Sequence, residues 1–87
     1  MAHYTLQDGE LRTYRFPSDT QPILVFPIPC DAETFKSLLR DLLTQTHGSI
    51  SHAECVLVQT EMAVSVTTRG GEFLLPWKDA ARIALAG

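Results

Sequence analysis

Only two of the 87 residues are cysteine, one is tryptophan and seven are basic, and each scarcity removes a class of protein. Two cysteines, Cys30 and Cys55, are too few for a disulfide scaffold. The basic residues, Arg12, Arg15, Lys36, Arg40, Arg69, Lys78 and Arg82, are scattered along the chain against ten carboxylates, and the formal net charge is −3. Nucleic-acid binders gather Lys and Arg on one face, because release of phosphate counterions drives their affinity. Neither nucleic acid nor an anionic membrane is therefore the expected partner. The longest unbroken apolar run, Pro22 to Cys30, is far short of the roughly 20 residues a spanning helix needs. The opening Met-Ala-His-Tyr-Thr-Leu-Gln-Asp has neither the basic region nor the apolar stretch of a secretory leader. The expectation is a soluble, cytoplasmic protein.

What is present fits one folded domain over residues 1–87. Hydrophobic residues make up 45% of the chain and charged ones 20%, close to the roughly 45–50% and 25% of ordinary globular proteins. No repeat, low-complexity tract or linker divides it. Tyr4 to Phe16 reads as a hairpin about Asp8-Gly9, a preferred two-residue turn. That turn pairs Gln7 with Glu10 and Leu6 with Leu11. Tyr4, Leu6 and Leu11 then share one face, while Tyr14 and Phe16 take the other, so the apolar set is split. Ile23-Leu-Val-Phe26 is short, continuous and apolar, the pattern of a strand covered on both faces. Pro27 and Pro29 close it.

Phe35, Leu38, Leu39, Leu42, Leu43 and Thr46 fall on one stripe of a 3.6-residue period, which predicts an amphipathic helix over about 31–47. Asp31 suits its N-cap, Glu33 its positive end, and Gly48 the left-handed position after its last turn. The segment 47–52 reads as a helix end followed by a polar turn. Ala53–Thr60 and Met62–Thr68 read as strands, joined by a turn at Thr60-Glu61 that lacks Gly, Pro or Asn. Gly70-Gly71 as a two-residue loop pairs Arg69 with Glu72 and sets Val66 opposite Leu75 and Val64 opposite Trp77. One face then carries Met62, Val64, Val66, Phe73, Leu75 and Trp77, the other being largely solvated. The Ala-rich end, Trp77–Gly87, is expected to be a helix burying Trp77, Ala80, Ala81 and Ala84. Its rival is a last strand over residues 82–85.

No motif fixes a chemistry. Cys30 lies just before a helix N-terminus, where amide hydrogens favour a thiolate, but Asp31 and Glu33 oppose one, and no CxxC partner exists. The expected role is a small, partly buried apolar residue. His47, His52, Cys55 and Cys30 could be proposed as a zinc set. Residues three apart in a strand point to opposite faces, however, so His52 and Cys55 should diverge. No metal and no cofactor are expected. The Ser and His residues of 47–52 are neighbours on one loop, which does not suit a catalytic triad. Gly70-Gly71 joins two strands and leads into no helix, so it is no phosphate loop.

The fold class is therefore α+β: an antiparallel or mixed sheet of about five to six strands, the 31–47 helix on one face and a short C-terminal helix, in the order ββ(β)αβββα. In architecture alone the order is similar to profilin-like or longin-like small domains, and a fold licenses no function. Two functional expectations follow, the non-catalytic one leading. The first is a protein-interaction module, a homodimer or the partner of another protein, because the strand set leaves an edge open. The second is a small-molecule binder or minor enzyme with a pocket between helix and sheet. That pocket would be lined by Trp77, Tyr14 and Phe35, with Cys30 or a His at its rim.

Overall fold

The computed structural model describes residues 2–44 and 48–86. Its elements are β1 (His3–Gln7), β2 (Glu10–Tyr14), β3 (Leu24–Pro27), α1 (Ala32–Thr44), β4 (Ser49–His52), β5 (Cys55–Gln59), β6 (Ala63–Thr68), β7 (Gly71–Pro76) and α2 (Trp77–Leu85). The class is α+β. The strands form two antiparallel sheets, β1-β2-β3 and β4-β5-β6-β7, where the sequence suggested one. The break falls at α1, which carries the chain from β3 to β4 without the two pairing. β4 lies where the sequence predicts a polar turn. An edge strand with one solvated face needs only one inward apolar residue, and here that is Ile50, packed against the core.

The first hairpin has the expected register, with Gln7 opposite Glu10 and Leu6 opposite Leu11. Gly9 takes the left-handed conformation at φ +81°, while Asp8 does not. The tip is clamped to the segment leading into α1. The Gly9 amide donates to the Cys30 carbonyl at 3.1 Å, and the Ile28 amide donates to the Gly9 carbonyl at 3.0 Å. The Ala32 amide donates to the Asp8 carboxylate at 2.8 Å. This clamp settles the split apolar set. Leu11 is fully buried, Tyr4 and Leu6 pack against the core, and Tyr14 lies on the opposite face beside Arg12. Phe16 lies beyond the strand and is 53% exposed.

β3 differs from its expected environment. Among the described residues it pairs only with β2, and Ile23, Leu24 and Val25 are 60%, 51% and 45% exposed. Only Phe26 of the four expected residues is buried: the strand sits at a sheet edge and, among the described residues, none covers the face that Val25 presents.

α1 starts as its sequence dictates: the Thr34 amide donates to Asp31 Oδ1 at 2.8 Å, and Phe35, Leu38, Leu39 and Leu42 are buried. The helix is described to Thr44, so Thr46 and His47 lie outside the described residues. Gly48 does have a positive φ, +76°, but its carbonyl accepts the Gln59 amide at 2.6 Å and opens β4.

In the four-stranded sheet the last hairpin turns one residue earlier than Gly70-Gly71 would place it. Thr68 pairs with Gly71, so Val66 faces Phe73 and Val64 faces Leu75. The Gly70 amide donates to Thr68 Oγ1 at 3.1 Å, a side-chain-stabilised turn about Arg69-Gly70. The shift preserves the faces, since side chains alternate with period two. Val64, Val66, Phe73 and Leu75 are buried together as expected, whereas Met62 stands in a turn, 82% exposed. Trp77 does not end the strand but begins α2. α2 buries Ala80, Ile83 and Ala84, with Ala81 only partly covered, because Ile83 rather than Ala81 completes the inward stripe.

Both helices and both sheets share one core. Phe73 of β7 joins the sheets: its ring lies 5.9 Å edge-on from Tyr4 of β1 and 5.3 Å from Phe26 of β3.

Candidate functional site

The four residues singled out from the sequence sit in different surroundings. Phe35 is fully buried beneath α1, and Cys30 and Trp77 are partly buried against the same core. Tyr14 is on the other face of the three-stranded sheet, where its hydroxyl accepts from Arg12 at 3.4 Å and its ring lies 6.5 Å from His3. Trp77 has a structural bond: its Nε1 donates to the Thr60 carbonyl at 2.9 Å and ties α2 to the β5–β6 turn.

The surroundings of Cys30 work against a thiolate. Burial first, and the Asp31 charge second, push its thiol above the ordinary value. Cys55 is fully buried, and burial, helped by Cys30, pushes its thiol up to about 11. The two sulfurs thus belong to one neighbourhood although 25 positions separate them. His52 does not diverge from Cys55 in the way a continuous strand would require. A turn at Ala53-Glu54 makes the two cross-strand partners, with His52 exposed and Cys55 buried. Among the described residues no three His, Cys, Asp or Glu side chains converge as metal ligands, and His47 lies outside them.

Among the described residues, other side chains form surface concavities, three of which stand out. One, of about 220 Å³, lies between Pro27, Pro29, Glu54 and the Thr68–Gly70 turn. Another of about 220 Å³ is lined by Thr5, Leu6, Lys36, Arg82, Ile83 and Ala86. The largest of the three, about 380 Å³, lies between the start of β1, the Phe16-Pro17 bend and the first turns of α2. Its lining includes His3, Phe16, Pro17, Lys78, Asp79 and Arg82. No periodicity or motif could have assembled these, since they come from opposite ends of the chain. The only hint was Phe16, an aromatic that no core face claimed.

Arg82 sits where α2 meets β1. It donates to the Tyr4 carbonyl and pairs with Asp79 at 3.3 Å. In the hairpin register Tyr4 is in a non-hydrogen-bonded pair with Thr13, so its carbonyl points away from β2. Arg82 therefore occupies the outer edge of β1. At the opposite edge, the Ile28 bond to Gly9 fixes which residues of β3 face β2. Val25 and Pro27 face outward. Pro27 has no amide hydrogen, and Ile23 donates to the Thr13 carbonyl at 2.7 Å. The Val25 amide is left as the outward donor of β3.

No protein-family model, curated protein or solved structure matches this chain. Among the described residues no helix is long and apolar enough to cross a membrane.

Proposed function

We propose that this protein is a non-catalytic interaction module of the cytoplasm that associates with a second protein chain, a copy of itself, through β3. The observation that carries the reading is the run Ile23-Leu24-Val25, exposed where the edge strand β3 begins. Its composition is that of an interior strand, which natural edges avoid or protect with charge. No lysine or arginine interrupts residues 16–35. Because Pro27 removes an outward donor, the backbone offers little to an added strand, and the aliphatic side chains carry most of the attraction.

Sedimentation velocity from low to high micromolar concentration tests this. The expected result is a concentration-dependent shift from monomer to dimer that Val25→Lys abolishes while the circular dichroism spectrum stays unchanged. Val25 is exposed, so the substitution leaves the core intact. A monomer throughout the range, or a dimer indifferent to Val25→Lys and Leu24→Glu, overturns the reading.

A further inference from the structure

Beyond that edge, we propose that the cleft between β1 and α2 binds a small aromatic monocarboxylate. Its volume, about 380 Å³, falls within the roughly 300–1,000 Å³ of small-molecule sites. One wall is apolar, made by Phe16, 53% exposed, and Pro17. No core face uses the Phe16 ring, and its open side is free to stack on a flat apolar group.

The facing wall is charged, and its charges fix the class of ligand. Arg82 is committed to the Tyr4 carbonyl and to Asp79, so its charge and that of Asp79 are matched within the protein. Lys78 lines the same cleft and has no carboxylate within ion-pair distance among the described residues. One positive charge is therefore unmatched beside an aromatic surface. A singly charged anion complements it, whereas the second charge of a dianion would find no further unmatched lysine or arginine among the described residues that line the cleft. The ligand's ring lies against Phe16 and Pro17, and its carboxylate meets the Lys78 ammonium. This charge complementarity is local, on a chain whose net charge is −3. The site shares no side chain with β3, so it stands or falls independently of self-association.

The test is an amide ¹H–¹⁵N titration with benzoate, with benzyl alcohol as an uncharged analogue. Benzoate should give saturable shifts at His3, Phe16, Lys78, Asp79 and Arg82. Benzyl alcohol should bind about two- to fivefold more weakly, the range one exposed ion pair is worth. Lys78→Gln should remove that difference, and Phe16→Ala should weaken both probes. Both side chains are exposed, so neither variant threatens the fold. Equal binding of the two probes, persistence of the difference in Lys78→Gln, or the lack of saturable shifts at these amides overturns the proposal.

Discussion

At the N-terminus of α1 two carboxylates share the amides that a helix leaves unpaired. Asp31 accepts from Thr34 within its own turn, and Asp8 reaches across from the first hairpin to Ala32. The Thr34 bonds hold the Asp31 carboxyl below its ordinary value of 3.8. A lowered value means that the stability it contributes is complete above 3.8 and is lost as pH falls through the folded value. Asp31→Ala should lower the melting temperature by a few degrees at neutral pH and make no difference in strong acid, which thermal melts across pH would register. The cysteines carry the opposite sign. With Cys55 raised from 9.0 to about 11, the neutral thiol is the folded form. Stability should be intact below pH 9 and should decline as pH rises toward 11. Timed alkylation at pH 8 should modify Cys30 more slowly than a cysteine in an unstructured peptide, and Cys55 only when the chain unfolds.

Turns decide what could and could not be read from the sequence at the level of elements. The Asp8-Gly9 hairpin was legible because a glycine occupies the one position with positive φ. Two other turns are built by threonine hydroxyls. Thr60 Oγ1 donates to the Ala63 carbonyl at 2.9 Å and accepts its amide at 3.0 Å, and Thr68 Oγ1 holds the Gly70 amide. Composition rules that look for Gly, Pro and Asn are blind to such bonds, which explains the one-residue displacement of the last hairpin. β4 is hidden in the sequence for a related reason: its turn uses Ala53, a residue with no turn signature, at φ +53°. For a non-glycine residue that conformation costs about 1–2 kcal/mol. Ala53→Gly should therefore stabilise the protein by about 0.5–1 kcal/mol after the entropy of glycine is counted, as urea denaturation would measure. α1, by contrast, was legible from its stripe and cap. The cleft was not legible, because residues 3, 16, 78 and 82 meet only after both sheets have formed.

Across the whole molecule the two sheets depend on one aromatic junction. Phe73 is nearly inaccessible and contacts rings from β1 and β3. Phe73→Ala should cost about 3–5 kcal/mol, and the loss should appear as one cooperative transition, since the helices and both sheets share that core. A scan resolving two separate transitions would show that the three-stranded sheet folds apart from the rest. The two edges of that sheet have a further consequence for assembly. Arg82 closes the β1 side, and Pro27 leaves β3 a single outward donor. Growth through this sheet can proceed from one side only, so the first addition uses up the sole growing end. A two-body complex is then the terminal species by geometry, and the exposed Ile23-Leu24-Val25 run gives no continuing template for a fibril.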